Sequence, residues 1–184
     1  VVMARVLDAL TLGENTALSL GVPLAQARGW LITVIALATG TAVAHCPGSN
    51  LKLASGAADV VAYREQGIRV GIGTDGCSSS NDLDMFAAMR LAANLARLVR
   101  DDPAALSARD VVRAATFEGA LALGLGDRIG TVEVGKEADL IAIDLRAPHL
   151  VPVHDPYTSV VFSAGRSDVR HVLVAGQPVV IDRE

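Results

Sequence analysis

Asp75 is the residue of this sequence best placed for acid–base or metal chemistry. It follows an apolar run at residues 68–73 and lies between Gly73 and Gly76. A carboxylate at the carboxyl end of a parallel strand faces the edge where α/β folds place their active sites. Glycines beside it let a substrate or a metal ion approach the backbone. A turn aspartate that caps the following loop would give the same pattern, so the local sequence leaves both interpretations open.

A second polar cluster, His-Cys-Pro-Gly-Ser-Asn at residues 45–50, follows another short apolar run. It combines the imidazole of His45 with hydrogen-bonding side chains at Ser49 and Asn50. Adjacent side chains on a strand point to opposite faces, so His45 and Cys46 suit one metal ion poorly. A zinc site also needs at least three converging ligands. A hydrogen-bonded structural histidine followed by an asparagine turn is an equally good interpretation of this cluster.

Ser78 belongs to a polar run at residues 78–81 that follows Asp75. A solvated loop explains this run better than a phosphate cradle does, because the sequence has no Walker motif. Gly71 and Gly73 precede a turn without the third glycine of a dinucleotide-binding motif. The sequence also contains no Cys-x-x-Cys or His-x-His pair, so the polar residues alone do not define a complete metal site.

The elements that must position these residues alternate between strand and helix. Apolar runs at residues 41–45 and 68–73 predict short buried strands that end in polar loops. Helical spacing and capping residues predict three helices, at residues 57–66, at 83–100 with Asp82 as a possible N-cap, and from Ser107 to about residue 123. Strands and helices at these intervals are typical of parallel βα units.

After Gly130 the sequence changes to short runs that are typical of strands. We predict strands at residues 131–134 and 138–144 and a hairpin at residues 169–181, with its turn near Ala175 and Gly176. The predicted domain boundary therefore lies between residues 128 and 129. Residues 1–128 form the α/β part, although 1–40 lack clean periodicity, and residues 129–184 form a β-rich segment.

Composition excludes several classes of protein. The chain has 184 residues, of which 51% are hydrophobic and 20% charged, with a formal net charge of −4. These values exclude a disordered or collagen-like chain, and the absence of a basic run argues against nucleic-acid binding. Residues 29–51 lack charge, but their firmly apolar part, residues 30–38, is too short to span a membrane. The first five residues lack the order of a signal peptide, and two cysteines are too few for a disulfide framework, so we expect reduced thiols in a cytoplasmic protein.

Several stretches together resemble the amidohydrolase superfamily, in particular its 5-methylthioadenosine/S-adenosylhomocysteine deaminases and chlorohydrolase-like enzymes. The similarity extends over about three-quarters of the chain, and its motifs are specific. They are His-Cys-Pro-Gly-Ser-Asn-Leu-Lys-Leu-Ala-Ser-Gly at 45–56, Gly-Thr-Asp-Gly at 73–76, Asn-Asp-Leu-Asp-Met-Phe at 81–86, the segment 129–140, and His-Asp-Pro at 154–156.

The resemblance implies a fold, a cofactor and a set of site residues. Family members are metal-dependent TIM-type (β/α)8 barrels with a small β-sandwich. A Zn²⁺ or Fe²⁺ ion is held by a His-x-His pair on strand 1, a histidine on strand 5 and an aspartate after strand 8. The metal makes hydroxide available for attack on a purine-like amidine, and ammonia leaves. By this resemblance Asp75 is the metal ligand and proton shuttle, while His45, Ser49, Asn50 and Ser78 border the substrate.

The chain also departs from the family pattern. A complete barrel typically needs about 250 residues, and this chain matches about strands 6–8 followed by part of the β-sandwich. The His-x-His pair, the strand-5 histidine and its glutamate have no counterpart in the sequence. Leu20 stands where relatives have a strand-6 histidine, and residues 1–40 match the family poorly. A trimmed chain, a frameshifted reading and a decayed gene would each produce these departures.

We therefore expect an amidohydrolase-family hydrolase of carbon–nitrogen bonds that deaminates a purine-like small molecule. Because most metal ligands are absent, we expect the chain to bind the metal weakly and to be inactive alone. It would depend on an N-terminal half supplied from elsewhere or form a homo-oligomer, without contact to nucleic acid or membrane. The alternative is a non-catalytic remnant or oligomeric interaction module, since a partial barrel exposes strand edges. A flavodoxin-like binding domain is disfavoured by the missing phosphate loop.

Overall fold

The fold described here is that of residues 42–184 in a computed structural model. The predictions for residues 1–40, including that for Leu20, lie outside the described residues. The elements occur in the order β1 Val43–His45, α1 Pro47–Lys52, α2 Val60–Glu65, β2 Val70–Ile72, α3 Cys77–Ser80, α4 Met85–Arg100, α5 Ala108–Ala115, α6 Phe117–Ala122, β3 Leu140–Ile143, α7 Pro156–Thr158, β4 Val169–Val174 and β5 Gln177–Val180.

β1 and β2 form a parallel pair in which Val43 lies opposite Val70 and His45 opposite Ile72. Parallel strands need a crossover connection, which α1 and α2 provide here. The predicted parallel βα arrangement is therefore confirmed for this part of the chain. The strands are shorter than the apolar runs that predicted them.

Helix α4 packs against β2 through small side chains. Ala92, Ala93 and Ala96 are each at most 1% exposed, which allows the helix backbone to lie close to the strand. The helix begins later than predicted, because the side chain of Asp84 accepts hydrogen bonds from the amides of Phe86 and Ala87. The predicted N-cap Asp82 is therefore wrong, and its carboxylate instead contacts the Arg166 guanidinium at 2.8 Å.

The predicted helix from Ser107 onward begins as expected and then breaks. Ser107 caps α5 by accepting a hydrogen bond from the Asp110 amide. At Thr116 the backbone departs from helical geometry, with φ −124° and ψ −92°, and α6 starts in a new direction. Beyond the break, Gly119 approaches Gly71 so closely that a Cβ on Gly71 would lie 3.2 Å from the Gly119 Cα.

β3, β4 and β5 form an antiparallel sheet in chain order. The predicted hairpin is confirmed, and its two turn residues, Ala175 and Gly176, both have positive φ values, 48° and 77°. Such turns match the twist of the strands that they join. The Asp139 carboxylate accepts a hydrogen bond from the Ala175 amide at 2.7 Å and so ties the turn to the residue before β3.

Residues 131–134, predicted as a strand, are irregular in the structure. The apolar residues of this segment point outward, with Val132 83% exposed. The nearby Lys136 ammonium donates to the Gly126 carbonyl at 2.7 Å and to the Thr131 hydroxyl at 2.6 Å. These bonds tie Lys136 to both Gly126 and Thr131 and so hold the segment as a loop.

A helical segment between β3 and β4 returns to the α/β part. It consists of α7 followed by a π-helical turn, Ser159–Ser163. The Arg90 guanidinium, on α4, donates to the carbonyls of Val161 at 3.2 Å and Ala164 at 2.8 Å.

The division between residues 128 and 129 stays a prediction, and residues 129–184 contain this helical segment in addition to strands. Within residues 42–184, no helix combines the length and apolar character needed to cross a membrane.

Candidate active site

The candidate site lies where β1 and β2 end. The Gly73 amide donates to the His45 carbonyl at 3.0 Å, which continues the ladder one step beyond the paired strands. Both strands therefore end at the same edge of the pair, and Asp75 lies two residues after Gly73. The carboxyl edge of parallel strands is the usual location of active sites in such folds.

Asp75 presents an exposed carboxylate from a constrained turn. Its backbone has φ 61°, a left-handed conformation that aspartate tolerates better than most residues. The hydroxyl of Ser49, the Gly76 amide and the Ser79 hydroxyl lower the pKa of Asp75, although partial desolvation opposes them. The Gly76 N–H lies 2.7 Å from the Asp75 Oδ1. The carboxylate is thus ionised at neutral pH and has lone pairs available to a cation.

Three of the predicted substrate-binding residues lie on the two segments that leave the strands. Ser49 is buried in α1 with only 4% of its surface exposed, and its hydroxyl supports the Asp75 carboxylate. Asn50 is half-buried in the same helix, whereas Ser78 is exposed in α3. The structure therefore brings Ser49 to Asp75, and the substrate-binding roles of all the candidates stay predictions.

His45, the fourth candidate, is closed off from solvent. Its side chain is 2% exposed and lies beside a small cavity between the strands and the helices, with Val60, Arg64 and Leu106 among its neighbours. Neither ring nitrogen has a hydrogen-bond partner among residues 42–184. Burial lowers the pKa of His45 to about 4, so the ring is neutral at pH 7.

The chain is expected to lose stability as the pH falls, because of His45. The pKa of His45 lies below the ordinary value of 6.5, so protons bind the unfolded chain more readily than the folded one. The stability that the neutral ring contributes is therefore complete above pH 6.5 and is lost as the pH falls towards 4. Between pH 7 and pH 5 this single group lowers the free energy of unfolding by about 2 kcal/mol. Urea unfolding followed by circular dichroism should show that His45→Leu reduces the difference between the two pH values by that amount.

The matched control for this measurement is His154→Gln, since His154 is exposed. That variant should keep the wild-type difference between pH 7 and pH 5. An unchanged pH dependence in His45→Leu would mean that the imidazole is solvated or paired, contrary to its position in the structure.

The sequence assigns no role to Cys46 or Lys52, although both belong to the candidate site. Burial and the negative charge of Asp75 raise the pKa of the Cys46 thiol, and a Cβ on Gly73 would lie 3.3 Å from the Cys46 sulfur. Lys52, at the end of α1, reaches across to α3 and donates to the Ser78 carbonyl at 3.0 Å. Both residues lie inside the motif at residues 45–56, which is the sequence signal that could have identified them as neighbours of the site.

Asp75 fits one position of a metal site but not a whole site. An ionised carboxylate is a suitable zinc ligand, but zinc is normally held by three or four protein ligands. Among residues 42–184, no group of three or more His, Cys, Asp or Glu side chains could hold a metal ion. The described residues therefore provide one candidate ligand, and the remaining ligands would have to come from other residues.

Comparisons with known proteins agree with this geometry. The model of the Amidohydrolase family matches residues 5–179. The chain is 50% identical over 144 residues to a 5-methylthioadenosine/S-adenosylhomocysteine deaminase of Syntrophobacter fumaroxidans, covering 78% of this chain and 33% of the relative. It is 50% identical over 145 residues to the protein of the same name from Haloarcula marismortui, covering 79% of this chain and 33% of that relative.

Solved structures give the same result. An adenosine deaminase from Xanthomonas campestris with bound zinc superposes with a TM-score of 0.80 at 47% identity, covering 84% of this chain and 35% of that structure. An atrazine chlorohydrolase from Arthrobacter aurescens TC1 complexed with zinc gives a TM-score of 0.73 at 32% identity, covering 78% and 32% respectively. The chain spans about a third of the length of the relatives that it matches, consistent with part of a TIM-type barrel. The chain belongs to the amidohydrolase family.

Proposed function

We propose that this chain is the C-terminal part of a metal-dependent amidohydrolase that deaminates a purine-like amidine. The observation that carries this proposal is the ionised Asp75 carboxylate at the shared edge of β1 and β2. We assign β1 and β2 to the seventh and eighth strands of the barrel, with β3 to β5 as part of the small β-sandwich. The names of the relatives support a substrate of the methylthioadenosine or adenosylhomocysteine type.

In this proposal Asp75 serves both as a metal ligand and as a proton carrier. Its low pKa keeps the carboxylate negative for binding a cation, and Ser49 and Gly76 fix its direction. A bound Zn²⁺ or Fe²⁺ ion would supply hydroxide near neutral pH by lowering the pKa of water. Asp75 would then accept a proton and pass it to the leaving amine. Ser78 and Asn50 would border the substrate, whereas the His45 side chain is buried between the strands and the helices.

The site would need ligands beyond residues 42–184, because this part of the chain has no group of three or more His, Cys, Asp or Glu side chains that could hold a metal ion. We propose that these ligands come from an N-terminal segment, which the relatives contain within their greater length. The two cysteines, Cys46 and Cys77, are both free thiols, which supports a cytoplasmic setting.

The second candidate function is a non-catalytic module that associates with copies of itself. The sheet formed by β3 to β5 favours it, because Ile141, Val174 and Val179 are each more than half exposed, at 54%, 51% and 61%. Exposed apolar surface on a sheet promotes association. The two candidates differ in what covers this surface, either a segment of the enzyme or a second copy.

Coexpression tests the two candidates directly. The 184-residue chain is produced alone and together with an N-terminal portion of the Syntrophobacter fumaroxidans relative, of which the match covers 33%. We expect the two polypeptides to copurify, to bind zinc and to release ammonia from methylthioadenosine. The chain alone should show negligible ammonia release, because one carboxylate holds a metal ion only weakly.

Mass measurement by light scattering completes this experiment. A zinc-free homo-oligomer that does not associate with the N-terminal portion would overturn the deaminase proposal in favour of the second candidate. Clear turnover by the chain alone would instead contradict its dependence on further ligands.

A further inference from the structure

Lys52 joins two segments of the site that are distant in the sequence. Its ammonium donates to the Ser78 carbonyl at 3.0 Å and also to the Asn81 side-chain oxygen. The first acceptor lies in α3, and Asn81 is the residue that ends this helix, with φ 64°. One cation therefore holds both the middle and the end of α3, although it belongs to α1.

Gly76 connects α3 to the Asp75 carboxylate. The Gly76 carbonyl accepts hydrogen bonds from the amides of Ser79 at 3.0 Å and Ser80 at 3.1 Å, and from the Ser80 hydroxyl at 3.3 Å. The amide of the same residue donates to the Asp75 carboxylate at 2.7 Å. A displacement of α3 can therefore reach the carboxylate through one residue, Gly76, whose carbonyl contacts α3 and whose amide contacts Asp75.

We propose that Lys52 is a positioning residue that fixes the direction of the Asp75 carboxylate by holding α3 in place. The proposal deepens the proposed function, on which it rests for the importance of Asp75. It assigns Lys52 no contact with the substrate. The chain of contacts is Lys52 to α3, α3 to Gly76, and Gly76 to Asp75.

A second cation at this loop provides a comparison. Arg166 contacts Asp82 at 2.8 Å, just beyond α3, but the two side chains are 73% and 48% exposed. Exposed single ion pairs contribute little because water and salt screen them. Lys52 is exposed as well, but it has two acceptors on α3 whereas Arg166 contacts a residue beyond the helix, so we expect the removal of Lys52 to affect α3 more than the removal of Arg166 does.

Two measurements on the full 184-residue chain without metal test the proposal. The first is hydrogen exchange of the Ser79, Ser80 and Asn81 amides, which are bonded within α3. Lys52→Met should accelerate this exchange about fivefold, the effect of losing roughly 1 kcal/mol of local stability. Lys52→Arg should retain most of the protection, and Arg166→Met should produce a smaller acceleration than Lys52→Met.

The second measurement is the proton chemical shift of the Gly76 amide, which reports its hydrogen bond to the Asp75 carboxylate. In Lys52→Met the shift should move towards its value in Asp75→Asn, and in Lys52→Arg it should stay near the wild-type value. Lys136→Met is the matched control, since the Lys136 ammonium holds a different loop through Gly126 and Thr131. It should leave the Gly76 shift unchanged.

Each outcome decides the proposal. If Lys52→Met leaves both the α3 exchange and the Gly76 shift unchanged, Lys52 does not hold α3. If exchange accelerates while the Gly76 shift stays constant, Lys52 stabilises α3 without positioning Asp75, which also overturns the proposal. Both measurements are independent of metal and substrate, so a failure of the coexpressed enzyme to release ammonia would count against the proposed function alone.

Discussion

Replacing Asp75 by asparagine is expected to lower ammonia release by the coexpressed enzyme at least about a thousandfold and its zinc content to background. Asparagine has nearly the same shape and tolerates the left-handed backbone, φ 61°, of this position. It lacks the negative charge needed to bind the metal ion and the basicity needed to accept a proton. Because the side chain is exposed, the free energy of unfolding should change little.

The control for this substitution is Asp101→Asn. Asp101 is also exposed and has a positive φ, 50°, at the end of α4, so the same chemical change is made in a similar backbone conformation. Ammonia release and zinc content should stay close to wild type. Full zinc binding and turnover in Asp75→Asn would show that Asp75 is a turn residue, the alternative interpretation of its sequence context.

Gly130→Ala is expected to be the most destabilising of the substitutions considered, lowering the free energy of unfolding by about 3 kcal/mol. Gly130 has φ 95°, and a Cβ there would lie 2.8 Å from the Ala120 Cβ and 3.0 Å from the Phe117 Cα. Both atoms belong to α6, and the second is a backbone atom that moves only with the helix. Urea unfolding of the purified chain measures the loss.

Gly135→Ala separates the two causes of this effect. Gly135 has the same φ, 95°, but a Cβ there would meet no atom of residues 42–184 within 4 Å. The variant should therefore lose only about 1 kcal/mol, the cost of the backbone conformation alone. Equal losses in the two variants would contradict the close approach of Gly130 to α6, because contact with the helix distinguishes the two positions.

The parts of the fold that could be predicted are those with strong local signals. Apolar runs that end in polar loops gave β1 and β2, and the Ala-Gly turn between apolar runs gave the hairpin. Helix boundaries were less certain because Asp82 and Asp84 both precede α4, and local sequence does not say which carboxylate faces the free amides. The outcome is fixed by tertiary contact, since Asp82 faces Arg166.

The candidate site residues could be selected from the sequence, but how they are arranged in space could be predicted only in part. Position after a strand was enough to select Asp75, whereas the burial of His45 depends on helices such as α5, whose Ala114 lies 69 residues further along the chain. The short alternating run at residues 131–134 looked like a strand, but the contacts of Lys136 with Gly126 and Thr131 hold it as a loop. Neither contact leaves a periodic signal in the sequence.

Two hydrogen bonds of Arg90 can form only late in the synthesis of this protein, because their acceptors lie far along the chain. Its acceptors, the carbonyls of Val161 and Ala164, lie 71 and 74 residues further along the chain. At the usual rate of translation they follow Arg90 by roughly 4 to 15 seconds. Throughout that interval the nascent chain carries an arginine on α4 that lacks these two acceptors. The α/β layer therefore completes its packing only after the ribosome has produced the segment that precedes β4.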